Sequence, residues 1–307
     1  MALAAVYVIW GSTYLAIRVM VETVPPLLGA GVRFVLAGAL LLVAVGARRG
    51  FASLRMSRRH LAITALVGIL LAAGGNGLVT VGEQDVPSGL AALIVASVPL
   101  WIVVFRALGR DRVSGATFAA VLLGFLGVGL LMLPGHRPEG VPLGASLLIV
   151  AAAASWGLGS FVAQRARVPA DPLVATGWQM LAGGIVLLIC GAGAGEIGDV
   201  HPDAFSLDSL LGLAYLVFVG SLVGYTAYTW LLGNAPISKV ATYAYVNPVV
   251  AVFLGWLILD EVVPGTTLLA TAVIVVSVAG TVRREATPRA PGAARSPGRP
   301  WRRPRVR

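Results

Sequence analysis

Residues 8–18 read VIWGSTYLAIR, and they have a counterpart, ASWGLGSFVAQR, over residues 154–165. Each stretch carries a Trp-Gly pair inside an apolar run, then hydroxyl or amide side chains and a final arginine. An ungapped alignment of residues 10–46 with 156–192 gives eight identities in 37 positions, among them the Trp-Gly pair and a proline. Because tryptophan and proline matches in order exceed what an apolar bias supplies, the sequence predicts two copies of one structural unit.

The composition places both units in a membrane. Of the 307 residues, 58% are hydrophobic and only 12% are charged, and the mean hydropathy is +0.89. A soluble protein keeps roughly a quarter of its residues charged, so this chain has too few charges to cover a surface facing water. The net charge of +10 is concentrated in residues 283–307, which hold nine arginines and one glutamate, while the rest of the chain holds 14 basic and 12 acidic residues.

The apolar runs predict an all-α integral membrane protein with ten transmembrane helices. A bilayer core requires roughly 20 apolar residues per helix, and the runs are continuous, without the alternation of barrel strands. The ten predicted spans are residues 1–21, 26–46, 61–82, 87–106, 115–133, 143–164, 172–193, 209–233, 236–259 and 264–282.

The arginines and lysine of the short loops predict the orientation. With the N-terminus inside, the inner loops hold eleven basic residues and the outer loops hold only Arg137. Basic residues collect on the cytoplasmic side of membrane proteins, so both termini are expected to be cytoplasmic. The inner residues are Arg48, Arg49, Arg55, Arg58, Arg59, Arg106, Arg110, Arg112, Arg165, Arg167 and Lys239.

Each unit contains five predicted helices, and because five is odd the second unit enters the membrane upside down. We expect a first repeat over residues 1–133, an outer linker over 134–142 and a second repeat over 143–282. Inverted repeats are a recurrent architecture of secondary transporters, since two related halves can exchange outward-open and inward-open shapes around a site near the midplane. The repeat is therefore the strongest functional signal in the sequence.

The last 25 residues, 283–307, are rich in Arg, Pro, Gly and Ala and have no periodic apolar face. This composition predicts a disordered cytoplasmic tail. Contact with nucleic acid and attraction to anionic lipid are both conceivable for such a basic segment. The simpler interpretation, which we adopt, is an unfolded tail that helps to hold the C-terminus inside, with no nucleic-acid partner.

Several stretches resemble the EamA family of the drug/metabolite transporter superfamily. They are VYVIWGSTYLAIRVMVETVPPLLGAGVRFVLAGALLL, GNGLVTVGEQDVPSGLAALIVASVPLW and YTWLLGNAPISKVATYAYVNPVVAVFLGWLILDE, and the resemblance covers roughly residues 5–282. It implies a ten-helix, two-unit exporter or permease of small metabolites, with a central cavity between the units. It does not specify the substrate.

Arg33 is the leading candidate for contact with substrate, because an ionisable side chain inside a membrane helix costs about 2.5–3.5 kcal/mol on insertion scales and tends to face a cavity or a partner. The functional interpretation is a cation that meets an anionic part of the substrate. The structural interpretation is an ion pair with Glu83 or Glu22 that fixes helix packing. Its equivalent in the second repeat is Gln179, which is polar but uncharged, and Arg18 is interpreted as mainly structural.

Polar and aromatic side chains at a spacing of four residues form stripes on several predicted helices, as at Trp10, Tyr14 and Arg18. Such stripes suit a cavity that accepts amphipathic organic molecules; the alternative is that the aromatic residues sit at headgroup depth. Beside Arg33 and Gln179, the cavity candidates are Trp10, Thr13, Tyr14, Asn76, Trp156, Ser160, Tyr225, Tyr228, Tyr243 and Asn247.

Pro99 and Pro248 occupy equivalent mid-helix positions and are candidate hinges, although such kinks could equally just shape the bundle. The sequence contains no catalytic or nucleotide-binding motif, a single cysteine (Cys190) and only scattered histidines, so we expect no enzyme activity, cofactor or metal site. We therefore expect a bacterial inner-membrane secondary transporter, with a non-transporting scaffold or sensor, or a membrane-embedded enzyme, as alternatives. Its partners are a small-molecule substrate and the bilayer, and the sequence leaves open whether it forms a homo-oligomer.

Overall fold

A computed structural model of the chain describes residues 2–133, 140–166, 171–234 and 243–261, and positions 265, 269, 272, 273, 275–277, 279 and 280. Within these residues the regular structure is helical and no strand occurs. Short 3₁₀ turns lie at Phe51–Leu54, Glu196–Asp199 and Pro202–Ala204. The main helices are α1 (Ala2–Met20), α2 (Pro26–Arg49), α3 (Arg58–Gly82), α4 (Ser88–Val95), α5 (Val98–Leu108), α6 (Gly115–Met132), α7 (Leu143–Ala166), α8 (Pro172–Gly193), α9 (residues 207–234) and α10 (Tyr243–Leu259).

The helices have the length and apolarity that the sequence predicts for a membrane protein. Seven helical spans among the described residues are long and apolar enough to cross a bilayer, counting α4 with α5 as one, and α6 and α10 contain shorter apolar helices. Large apolar side chains such as Leu126, Phe218 and Trp256 are exposed on the bundle surface, where lipid would cover them. The prediction of an all-helical membrane protein is confirmed, and most of the predicted tenth span lies outside the described residues.

Local sequence explains where the helices begin. Serines at the N-cap positions of α3, α6 and α9 accept a hydrogen bond from a backbone amide in the first turn, and Asp171 does the same for α8. These bonds satisfy amides that a helix start leaves without partners. Proline stands in the first turn of α2 and α8, where its missing N–H is not needed.

The predicted fourth span, residues 87–106, corresponds to one membrane span, Ser88–Leu108, which is built from α4 and α5. A turn at Ala96 and Ser97 separates α4 from α5, and Pro99 lies in the first turn of α5. The physical reason is that proline has no N–H for the carbonyl one turn earlier and its ring clashes there. The equivalent Pro248 lies inside α10, which remains continuous, so the two prolines shape their helices differently.

Two helices at equivalent places in the repeats contain wide π-helical segments. In α3 the segment is Ile69–Gly77, and in α9 it is Leu216–Val223. The Ser155 hydroxyl of α7 donates to the carbonyl of Leu70 within the first segment, at 2.8 Å. Such segments occur frequently at functional sites, and both lie beside the central cavity described below.

Equivalent glycines pack the repeats against each other where α2 crosses α8. A Cβ atom at Gly38 would lie 2.9 Å from the Gly177 carbonyl oxygen, and a Cβ at Gly184 would lie 3.0 Å from the Gly31 carbonyl oxygen. Since Gly31 aligns with Gly177 and Gly38 with Gly184, the two contacts are the same contact seen from each repeat. Small residues allow this close approach of helix backbones in a membrane.

The two Trp-Gly pairs are also used equivalently. The Trp10 ring lies against Gly224, and the Trp156 ring lies against Gly75. These two glycines are equivalent when residues 75–111 are aligned with residues 224–260. The glycine after each tryptophan allows close approach of another helix, Gly11 against Val250 of α10 and Gly157 against Trp101 of α5. The repeated motif therefore places one tryptophan from each half on the opposite half, at the centre of the bundle.

Candidate functional site

A cavity lies at the centre of the bundle and is lined by residues of both repeats. Most of its wall is apolar, with contributions such as Ile17, Val79, Val95 and Ala152. A small number of polar groups in a largely apolar pocket is typical of small-molecule sites. Of the twelve predicted cavity residues, those on its wall are Trp10, Thr13, Tyr14, Arg33, Asn76, Trp156, Tyr225, Tyr243 and Asn247.

Aromatic rings form a cluster around Trp10, the first residue of the repeated motif. Its ring centroid is 4.9 Å from that of Tyr228, 5.2 Å from Tyr243, 5.6 Å from Tyr225 and 6.2 Å from Trp156. Several pairs meet edge to face, an arrangement that aromatic quadrupoles favour. Four of these five residues line the cavity, so aromatic side chains provide much of its contact surface.

Three predicted residues lie off the cavity wall. Tyr228 stands behind it, in contact with Trp10 and Tyr243. The Ser160 hydroxyl donates to the Trp156 carbonyl within α7. Gln179 lies on α8 where its backbone packs closely against Gly68 of α3.

Arg33 is 3% exposed and lines the cavity. Its Nε donates to the Ser221 hydroxyl at 3.0 Å, and its guanidinium carbon lies 4.6 Å from the Phe34 ring centroid. Its Nη1 has no hydrogen-bond partner among the described residues. Because a buried unpaired donor costs free energy, this nitrogen is a group with which a ligand can pair.

The predicted ion pairs of Glu22 and Glu83 do not form within the described part of the chain. Glu22 is exposed, Glu83 is fully buried, and neither carboxylate reaches an arginine. Arg18 instead donates from Nη1 to the carbonyl oxygens of Glu83 and Gln84. The physical reason is that the end of α3 leaves carbonyl groups without intrahelical partners, and the Arg18 guanidinium satisfies them.

The arginine-poor face, defined by residues 21–25, 83–87 and 194–206, is held together by two carboxylates of the second repeat. Glu261 accepts hydrogen bonds from the backbone amides of Ser88 and Gly89, at 2.7 and 3.1 Å. Glu196 accepts from the amides of Leu27 and Leu28, at 3.1 and 2.8 Å. Each carboxylate therefore binds the N-terminus of a helix in the first repeat, where negative charge is favoured.

The arginine-rich face, defined by residues 50–57 and 109–114, is held by side-chain ion pairs. Arg49 of the first repeat pairs with Asp171 of the second. Asp111 pairs with Arg165 of the second repeat at 2.7 Å and with Arg106 at 3.3 Å. These side chains are about one third to one half exposed.

Sequence reasoning missed the residues that support the cavity rather than line it. Ser221 binds Arg33 and Glu261 binds the start of α4, yet neither stood out as a candidate. The signal available for Glu261 was its place directly after an apolar helix, in LILDEVVPG. Among the described residues, no group of three or more His, Cys, Asp or Glu side chains could hold a metal ion.

Comparison with known proteins identifies the family. Residues 1–133 and 143–283 each match the EamA-like transporter family. This chain belongs to the EamA-like transporter family. Membership confirms the resemblance drawn from the sequence, together with the expectation of a membrane transporter rather than an enzyme.

Individual relatives agree with this assignment. The chain is 41% identical over 282 residues to "Uncharacterized inner membrane transporter YedA" of Escherichia coli (strain K12), covering 90% of this chain and 88% of the relative. It is 26% identical over 277 residues to the "Probable amino-acid metabolite efflux pump" of the same strain, covering 88% and 89%. A solved crystal structure that is 22% identical superposes with a TM-score of 0.63 over 93% of this chain and 98% of its own, which shows the shared fold.

Proposed function

We propose that this EamA-family chain is a secondary transporter of the bacterial inner membrane that exports small organic molecules by alternating access. In the proposal ten helices form two inverted repeats, residues 1–133 and 143–282, with both termini in the cytoplasm. Residues 134–142 are the outer linker, and residues 283–307 are a cytoplasmic tail. YedA, named as an inner membrane transporter, and the relative named as an efflux pump support the location and the direction.

The observation that carries the proposal is the composition of the central cavity. Trp10, Tyr14 and Arg33 of the first repeat and Trp156 and Tyr225 of the second line the same space. Alternating access requires a site between two halves that can rock about it, and equivalent glycine contacts between α2 and α8 provide a closely packed axis for such motion.

The cavity chemistry indicates the kind of substrate. Aromatic rings offer apolar area together with hydroxyl and indole N–H groups, and the unpaired Nη1 of Arg33 offers a charged donor. An amphipathic organic molecule with an anionic group satisfies both features, because its anion meets Arg33 while its apolar part packs against the cluster around Trp10.

Metabolite profiling of cells with and without the gene tests the proposal. We expect at least one metabolite to accumulate in the medium only when the gene is expressed. Arg33→Ala should reduce its flux in membrane vesicles by about tenfold or more, since a hydrogen bond to a charged group contributes about 1.5–3 kcal/mol. Trp10→Ala should also reduce flux, through loss of aromatic contact area.

The matched control is Arg48→Ala, because Arg48 is an exposed arginine of the same helix. This variant should transport like the unmodified protein. Normal flux in correctly inserted Arg33→Ala and Trp10→Ala proteins would remove both residues from the site. An unchanged metabolite profile on gene expression would contradict export itself.

A further inference from the structure

Glu83, the residue directly after α3, is a buried carboxyl group that the proposed transport site does not use. The side chain is 0% exposed, and neither carboxyl oxygen has a hydrogen-bond partner among the described residues. A charged carboxylate in such surroundings is costly unless it is paired and hydrogen-bonded. The closed arrangement around Glu83 therefore suits the neutral, protonated form of the group.

The position of Glu83 connects the cavity to the arginine-poor face. Asn76 and Val79 of α3 line the cavity, and Glu83 follows them by seven and four residues on the same helix face. The Glu83 amide donates to the Val79 carbonyl at 2.9 Å, so the helical turn continues to this residue. Glu83 thus lies one turn beyond the cavity wall, where the chain turns towards α4.

The ionisable groups around Glu83 come from three parts of the chain, and none of their described hydrogen bonds reaches the Glu83 carboxyl group. Arg18 donates to backbone carbonyls, Arg33 donates to Ser221, and Glu261 accepts from the start of α4. The hydroxyls of Ser88 and Ser146, also buried in this region, have no described partner. The ionisable groups that face Glu83 are Tyr14 and Arg18 of α1, Arg33 of α2, and Glu261 after α10.

Burial raises the pKa of the Glu83 carboxyl, which follows the last residue of its membrane span, well above the ordinary value. The Glu261 charge raises this pKa further, while Arg18 and Arg33 oppose the shift. Opening of the arginine-poor face would hydrate the carboxyl group and return its pKa towards the ordinary value.

We propose that Glu83 is a proton-binding site and that a proton on its carboxyl closes the arginine-poor face. The proton site rests on the proposed transport function only because the arginine-poor face must open and close. The proton adds to one carboxylate oxygen when the face closes and leaves when the group meets water. Closure is complete below the pKa of the open state and is lost as the pH rises through the higher pKa of the closed state.

Thiol labelling of Ser88→Cys in proteoliposomes measures this closure without a substrate. Ser88 is fully buried beside Glu261, and its hydroxyl has no described partner to lose. Cys190 is first replaced by serine, so that the introduced cysteine is the one that reacts. The labelling rate of Ser88→Cys is then divided by the labelling rate of Gln84→Cys, an exposed position in the adjacent turn. This ratio cancels the pH dependence of the thiol itself. Between the pKa of Glu83 in the open state and its higher pKa in the closed state, the ratio of labelling rates should rise about tenfold per pH unit.

Three variants decide the role of Glu83. Glu83→Gln, which mimics the protonated group, should give slow labelling at every pH. Glu83→Asp should keep a pH-dependent ratio because it retains a carboxyl. Asp85→Asn, the matched control at an exposed carboxylate two residues away, should follow the unmodified protein.

Two results would overturn the proposal: a ratio independent of pH in the otherwise unmodified protein, or the same pH profile in the Glu83→Gln and unmodified proteins. Because labelling requires no transported molecule, a failure of metabolite export leaves this result intact. Conversely, metabolite export together with a pH-independent ratio of labelling rates would refute the proton site without contradicting the transport function.

Discussion

On the arginine-poor face Glu261 binds two backbone amides at the start of α4, whereas on the arginine-rich face Arg49 pairs with Asp171 at the surface. Both contacts join the first repeat to the second, and both lie at helix ends. The carboxylate–amide contact is directed at a helix N-terminus, while the ion pair is 52% and 35% exposed on its two sides. The two faces therefore join the repeats through different chemistry.

The energetic consequence is an asymmetry between the faces. Hydrogen bonds to charged groups contribute about 1.5–3 kcal/mol, whereas exposed ion pairs contribute about 0–1 kcal/mol and are screened by salt. We therefore expect the arginine-poor face to be held closed more tightly, and we expect salt to loosen mainly the arginine-rich face.

Glu261→Ala should loosen the arginine-poor face strongly. Loss of both amide contacts should raise the labelling rate of Ser88→Cys by about tenfold or more, because one charged hydrogen bond already corresponds to such a factor. The control is Asp260→Asn, the preceding exposed carboxylate, which should leave the rate unchanged. Equal labelling in Glu261→Ala and the parent protein would show that this contact does not hold the face closed.

The ion pair between Arg49 and Asp171 on the arginine-rich face should contribute much less. A double-mutant cycle of Arg49→Ala and Asp171→Ala should give a coupling energy of about 0.2–1 kcal/mol in the free energy of unfolding. The cycle is required because Asp171 also caps α8 through the Leu173 amide. Unfolding in mixed micelles at low and high salt would measure it, and a salt-independent coupling above this range would refute the proposed asymmetry.

The repeated Trp-Gly pair shows how much of the fold the sequence contains. It predicted two related halves, and the structure places Trp10 and Trp156 on equivalent glycines of opposite repeats. Arg33 was likewise predicted, because an arginine inside an apolar helix is conspicuous. These features are local or periodic, so a single sequence is sufficient to find them.

The parts of the fold and site that the sequence did not predict depend on contacts between residues far apart in the chain. Glu261 and Ser88 are 173 positions apart, and no local pattern connects them. Ser221 is one serine among many until α9 brings it to Arg33. The π-helical segments likewise depend on packing against neighbouring helices, which hydropathy does not encode.

Paired distance measurements can show whether the two repeats alternate around the cavity. With Cys190 replaced, spin labels at Gln84 and Asp203 report across the arginine-poor face, and labels at Ala52 and Gln164 report across the arginine-rich face; all four residues are exposed. In proteoliposomes across a pH series, we predict that one distance lengthens while the other shortens. Two distances that stay constant, or that change together, would contradict alternating access.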